Sequence, residues 1–445
     1  MNMNTLIGNM SQNPHGIFGN RWIQLTAGFI AMVVISNYQY AFTLFTDGIG
    51  RDFPNVSYAA ISTIYSLFIA FETWPVPLSG FLIDRLGIRN LMIIGSIMIA
   101  IGWVGSALAN SIILLYIFYG VIAGTGAGII YIACSGNAIK WFPDKRGLAV
   151  GITAAGFGGG AAITVIPISM MISASGWRYT ILVFGIVQGI IALLMALIMR
   201  HPPENYKPKG WDEKLKVISK RLTFTKRNYD WYDTIRRPEF WLLYAMFVMT
   251  ATGGLLATGN LTQIAKSIGI SKAVILGVSV VALSQTINGI NNGVSRILWG
   301  SISDRLGREN AMTLVFLIEA LFVFLITTFL ASNPLLFVIL MGIAFLSWGE
   351  IFSLYSSITG DIFGPKYATT NYGMLYTAKG VAAQIAGWGA ALIAAALNSW
   401  IFPLYIAVIL DVITALLAIF VLKRTIRNRV IKEEAKEEAS RERTK

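Results

Sequence analysis

Two cations stand alone inside long apolar segments, Arg296 in VVALSQTINGINNGVSRILWG and Lys379 in NYGMLYTAKGVAAQIAGWGAALIAAAL. A charged side chain at bilayer depth costs at least about 2.5–3.5 kcal/mol and by default marks a substrate or ion pathway. Arg offers a planar fork that engages a carboxylate through two hydrogen bonds, and Lys offers a point charge. Together they ask for an anion. Asn292 lies one helical turn before Arg296 on the same face, where its amide can orient the guanidinium. From the residues alone a second reading stays open, in which each cation neutralises a buried acid and only holds helices together.

Two acids share this depth. With a rise of about 1.5 Å per residue, Arg296 stands about 12 Å from Asp304 along its helix and Lys379 about 13 Å from the same face. On the same scale Glu72 lies about 18 Å from Asp84, and Glu350 about 16 Å from Asp361. Glu72 and Glu350 are therefore candidates for proton coupling, because a carboxyl that alternates between low dielectric and a neighbouring cation can gain and lose a proton. Glu319 and Asp411 fall on outer helices, where headgroup-facing or interhelical structural roles are expected.

The elements that must position these groups are membrane spans. The 445 residues are 55% hydrophobic and 13% charged, with a mean hydropathy of +0.65. That excludes an ordinary soluble domain and predicts an all-α polytopic membrane protein. Stretches long enough for about 30 Å of hydrocarbon, roughly 20 residues each, recur near 22–46, 58–83, 91–109, 112–139, 147–173, 178–199, 239–265, 273–302, 311–331, 335–360, 370–397 and 401–422. These predict twelve helices, numbered here in chain order. No removable signal peptide is expected at the start.

Lys and Arg concentrate on one side of this topology. The opposite side holds Arg51, Arg178, Lys266 and Lys272. Cytoplasmic loops retain basic residues, so both termini and the central loop are expected in the cytoplasm and the protein in the plasma membrane. The net charge of +13 then reflects topology and anionic headgroups, not nucleic acid, since no soluble basic and aromatic patch is present. Single Cys134 excludes a disulfide within the chain and reads as packing. His15 and His201 form no metal site with it. Gly124-Thr-Gly126-Ala-Gly128 and Gly156-Phe-Gly158-Gly-Gly160 lie inside predicted membrane helices, where small residues let helices approach, and not in a dinucleotide-binding loop. With no nucleophile and base pairing and no phosphate loop, neither an enzyme nor a cofactor is expected. The segment starting at Glu433 reads as a solvated, charged helical tail.

The chain also repeats itself. Gly80-Phe-Leu-Ile-Asp84-Arg85-Leu-Gly87-Ile-Arg89 after helix 2 returns as Gly300-Ser-Ile-Ser-Asp304-Arg305-Leu-Gly307-Arg308 after helix 8, offset by 220 positions. Two six-helix halves follow, at 1–200 and 239–423, with a cytoplasmic loop at 201–238 and a charged tail at 424–445. Paired halves with a site at mid-membrane are a recurrent transporter plan. It assigns gating to Asp84, Arg85, Asp304 and Arg305.

These loops and the six-plus-six layout resemble the major facilitator superfamily over the whole chain. More narrowly, Gly19-Asn20-Arg21-Trp22, Asn37-Tyr38-Gln39-Tyr40, the stretch Lys140-Trp141-Phe142-Pro143-Asp144-Lys145-Arg146-Gly147-Leu148-Ala149, Phe345-Leu346-Ser347-Trp348-Gly349, Asp361-Ile362-Phe363-Gly364 and Asn371-Tyr372-Gly373 resemble the oxalate/formate antiporter family. That family is related to the monocarboxylate transporters. The resemblance implies that Arg296 and Lys379 bind a carboxylate. It also implies a cage of Gln39, Tyr40, Tyr131, Phe157, Trp348, Phe352 and Tyr376 that excludes water and sets ligand size. It implies alternating-access exchange of small organic anions by a protein that works as a monomer in the lipid bilayer. Oxalate-transporting members carry tyrosine at Phe157 and Phe352, tryptophan at Tyr376 and uncharged residues at Glu72 and Glu350. The lost hydroxyls and smaller ring point to a monocarboxylate with a short apolar tail, and the two glutamates open proton-coupled symport as the alternative mode.

Overall fold

Local chemistry sets where the helices begin. Asn20 accepts from Trp22 N, Ser57 from Ala60 N, Ser279 from Ala282 N and Asn333 from both Leu335 N and Leu336 N, each side chain satisfying a donor that a helix start leaves open. Pro238 and Pro334 occupy the first turns of their helices, where a missing N–H costs nothing. The computed structural model describes residues 16–142, 145–203, 206, 208, 227–328, 333–364 and 367–428. The chain divides into two units, Met1–Val217 and Ile218–Lys445.

In the first unit, α1 runs over Arg21–Tyr40 and bends by 43° at Ala41 into Phe42–Asp52. Next come α2 (Tyr58–Thr73, continued as Val76–Leu86), α3 (Ile88–Leu108) and α4 (Ile112–Trp141). A continuous helical stretch then extends to Ile198 and divides into α5 (146–175) and α6 (177–198) at Gly176, whose φ of 79° breaks the helix. At one end of this unit Arg178 binds Asp52 at 2.6 Å and donates to the carbonyls of Ala107 and Ala109, tying the ends of α1 and α3 to the start of α6.

The second unit holds α7 (Pro238–Ser267), α8 (Val280–Leu306), α9 (Arg308–Thr328), α10 (Pro334–Phe363), α11 (Thr370–Ala396) and α12 (Ile401–Asn428). Among the described residues, nine helices are long and apolar enough to cross a membrane, and the bent α1 makes a tenth. One of the nine is the stretch divided at Gly176. The remaining segment, α8, falls short because Gln285, Asn288, Asn291, Asn292, Ser295 and Arg296 crowd it. It begins at Val280 and not near 273: the residues before it form a small antiparallel pair, Val274–Ile275 with Val278–Ser279, turned by Leu276 and Gly277 at positive φ. Apolar residues such as Leu108, Ile163, Met170 and Phe420 face outward, as spans solvated by lipid tails require.

The repeated loop motif folds alike in both units. Gly87 and Gly307, 220 positions apart, both adopt positive φ, at 75° and 84°, a conformation that favours glycine over any residue with a Cβ. Each ends one helix and starts the next, at Leu86 to Ile88 and at Leu306 to Arg308.

Candidate functional site

Helices α8 and α10 are locked together before they present any charge. Asn291 donates from Nδ2 to Gly342 O at 2.7 Å, and Trp299 donates from Nε1 to Leu346 O at 2.9 Å. Just beyond the second tie α10 breaks at Gly349–Glu350. A Cβ at Gly349 would collide with Ser295 Oγ and Asn292 Oδ1, so glycine is what lets the two backbones close at this level. One turn later α10 carries Phe352 over the guanidinium of Arg296, with Cζ at 4.4 Å from the ring centroid.

Arg296 is 3% exposed. Its Nη2 donates to Asn292 Oδ1 at 3.3 Å, while Nε and Nη1 have no hydrogen-bond partner. Among the described residues no carboxylate lies within ion-pair distance of it. Lys379 on α11 is fully buried, donates to the Tyr376 hydroxyl at 3.2 Å, and sits 5.6 Å from the same Phe352 ring. Trp348 and Tyr376 complete the cluster, with ring centroids 5.5 and 6.0 Å from Phe352. The Trp348 indole lies against Gly254 of α7, where a Cβ would overlap it, and donates to Thr250 O at 3.2 Å. Two cations thus lie against one aromatic ring in a buried setting. Cation–π contact offsets part of their desolvation, yet their like charges repel, and the arrangement favours binding an anion.

The first unit assembles the other expected residues. Phe157 of α5 meets Tyr131 of α4 at 5.3 Å and Tyr40 of α1 at 5.7 Å, all edge to face. Gln39 is fully buried beside Tyr40. A separate aromatic core, Tyr38, Phe68, Trp103 and Tyr119, packs deeper in this unit. Its Tyr38 and Tyr119 hydroxyls are spent on backbone carbonyls, so those rings serve packing.

The acids separate. Glu72 is fully buried on α2, and its backbone carbonyl packs where a Cβ at Gly128 would stand. Glu350 is fully buried at the break in α10, with neither carboxyl oxygen hydrogen-bonded. Glu319 and Asp411, expected at headgroups or between helices, are 1% and 0% exposed. They are interhelical: both approach Gly253 of α7, with Glu319 Oε1 3.1 Å and Asp411 Oδ2 3.5 Å from where its Cβ would lie. The headgroup alternative fails because α9 and α12 turn these positions inward against α7. Sequence spacing gave no sign of this convergence, since 92 residues separate the two acids.

Of the gating candidates, Arg85 and Arg305 are exposed at the ends of their helices, and the side chains of Asp84 and Asp304 lie outside the described residues. The second loop does make a defined contact: Arg308 pairs with Asp361 at 3.2 Å and with the Ser303 hydroxyl. His15, Pro143, Asp144 and the tail from Glu433 also lie outside the described residues. Among the described residues no group of three or more His, Cys, Asp or Glu is arranged to hold a metal ion.

The family model of the Major Facilitator Superfamily matches residues 24–292 and 261–444. The chain is 33% identical over 410 residues to the oxalate:formate antiporter of Oxalobacter formigenes, covering 92% of this chain and 93% of that protein. It is 22% identical to the uncharacterized MFS-type transporter YhjX of Escherichia coli, over 83% of this chain and 87% of that one. Monocarboxylate transporter 12-B of Danio rerio is similar at 23% identity, over 84% and 82% of the two chains. Matches of this extent make the chain a polytopic membrane transporter, not an enzyme. It belongs to the major facilitator superfamily and, within it, to the family of the oxalate:formate antiporter.

Proposed function

We propose that this protein is a secondary active transporter that exchanges small carboxylates by alternating access, with Arg296 and Lys379 as the anion-binding cations. The observation that carries this reading is the Arg296 guanidinium, buried with Nε and Nη1 unpartnered beside a second cation over the same Phe352 ring. A buried donor left unsatisfied costs about 1–3 kcal/mol, more when charged, and a bound carboxylate removes that cost. Asn292 orients the fork, Trp348, Phe352 and Tyr376 exclude water around the two cations, and Gln39, Tyr40, Tyr131 and Phe157 contribute to ligand selectivity. Asp84, Arg85, Asp304 and Arg305 act in gating. The protein works as a monomer in the plasma membrane, with both termini and the 201–238 loop cytoplasmic.

The likeness to an oxalate:formate antiporter supports the substrate class. Phenylalanine at 157 and 352 and tyrosine at 376 favour a monocarboxylate with a short apolar tail. Counterflow of labelled anion in proteoliposomes at fixed pH, against oxalate, formate, acetate, lactate and pyruvate, tests this. Exchange with at least one monocarboxylate supports the reading, and no exchange with any of the five defeats it.

Proton-coupled symport is the second reading. It is favoured by Glu350, fully buried next to Gly349, where α10 closes on Asn292 and Ser295 beside Arg296 in sequence. Under symport, uptake rises with an inward proton gradient, and Glu350→Gln or Glu72→Gln loses that dependence while counterflow survives. Under exchange, uptake requires a carboxylate inside and ignores the gradient.

A further inference from the structure

The two acids of α9 and α12 have no part in the site described above. Glu319 and Asp411 come from helices far apart in sequence and converge on one point, the place a Cβ would occupy on Gly253 of α7. Asp411 has neither oxygen hydrogen-bonded, and Glu319 lacks a partner at Oε2. A second buried polar group lies in the same unit. The Tyr355 side chain of α10 is fully buried, and its hydroxyl has no hydrogen-bond partner. Its ring is held by Phe247, stacked at 4.6 Å and 9°, so the hydroxyl cannot swing away to find another acceptor.

Among the described residues no cation lies within ion-pair distance of either acid. Of the elements packed against the pair, α7 contributes Gly253 and Thr250 at this level, and its charged residues Glu239 and Lys266 lie at its two ends. The adjoining part of α11, Ala390–Ala396, has no titratable residue. From α10 come Glu350 and Tyr355, and from α8 comes Arg296. Two adjacent carboxylates in low dielectric with no cation cannot both be ionised. A pair in this position shares a proton, and its titration belongs to the pair and not to either residue.

We propose that Glu319 and Asp411 form a proton-binding site in the second unit, linked electrostatically to the cations Arg296 and Lys379. This rests on the transporter reading for its coupling, but not for the site itself. A carboxylate arriving at Arg296 and Lys379 neutralises positive potential there. The cluster then holds its proton more firmly, so that anion binding and proton binding favour each other. No bond other than O–H is made or broken, and the proton comes from solvent.

Two measurements on the full-length protein in nanodiscs separate the site from its coupling. Infrared spectroscopy of wild type at pH 7 is expected to show the carbonyl stretch of a buried protonated carboxyl, lost in Glu319→Gln with Asp411→Asn. The single variants report on the pair if the double variant fails to fold. Absence of that band in wild type, or its persistence in the folded variants, overturns the proposal. In weakly buffered solution with a pH indicator, acetate or oxalate added to wild type is expected to draw about one proton per anion bound, and the variants are expected to bind the anion without that uptake. Equal uptake in wild type and variants overturns the coupling. If the carboxyl band is present but no probe anion binds, the proton site stands and the carboxylate reading fails.

Discussion

The two halves are copies of one plan and have come to hold different chemistry. Each centres an aromatic cluster on one phenylalanine: Phe157 with Tyr40 and Tyr131 in the first unit, Phe352 with Trp348 and Tyr376 in the second. The backbone device is retained too, in the positive-φ turns at Gly87 and Gly307. Charge is not. Around Phe352 stand Arg296 and Lys379, and Glu350, Glu319 and Asp411 are buried in the same unit, whereas among the described residues of the first unit Glu72 is the buried acid. A repeat preserves helix packing because packing is geometric, while each further buried cation adds desolvation cost. The difference predicts that the second unit governs whether an anion binds and the first governs which one.

The largest effect is expected from Arg296→Gln, which removes the fork and leaves the anion's charge half compensated. Loss of one partner of a buried charge pair costs about 2–5 kcal/mol. Acetate or oxalate affinity, measured by calorimetry, should fall by about 30-fold to several-thousand-fold at roughly 1.4 kcal/mol per decade. A change under threefold would move the binding charge elsewhere.

Matched truncation of the two central rings tests the comparison itself. Phe352→Ala removes a desolvated cation–π contact worth about 2 kcal/mol and should weaken binding about 30-fold. Phe157→Ala removes aromatic pairing worth about 0.5–1.5 kcal/mol, for a loss of roughly threefold to tenfold. Equal losses would mean that the halves share the task evenly.

Much of this site was legible from sequence, and the reasons are physical. A lone cation in an apolar run is conspicuous because hydrocarbon penalises it, and helical periodicity places Asn292 beneath Arg296 as it does in the structure, at 3.3 Å. The loop copies were readable because glycine at positive φ constrains residue type. What spacing could not convey was proximity between helices. Glu319 and Asp411 looked peripheral on their own helices, and only the approach of both to Gly253 joins them. The break at Gly349 was hidden for a similar reason, since its glycine answers to Asn292 and Ser295 on another helix. The start of α8 was misplaced by seven positions because Ala273–Ser279 is apolar enough to pass for helix, yet forms the turn of a short hairpin.

Smaller effects should appear in selectivity. Phe157→Tyr and Phe352→Tyr restore hydroxyls of the kind that hydrogen-bond a charged group at about 1.5–3 kcal/mol. Together they should shift preference from acetate toward oxalate by about tenfold or more, read as the ratio of half-maximal concentrations in counterflow. If the ratio does not move, the two rings do not set specificity.

The smallest effect is expected outside the pocket. Arg308 and Asp361 form a partly exposed pair at 3.2 Å, of a class worth about 0–1 kcal/mol. Asp361→Asn should change turnover by at most about fivefold with anion affinity unchanged. A large loss of affinity at constant turnover would put this pair in the binding site and not at the gate.

The most direct single measurement is counterflow by Lys379→Ala in proteoliposomes, with folding checked by thermal denaturation of the same preparation. Loss of exchange by a protein that unfolds at the wild-type temperature is expected, because one cation alone leaves a carboxylate's charge poorly matched in a dry site. Exchange near the wild-type rate would contradict the assignment of Arg296 and Lys379 as the paired anion site.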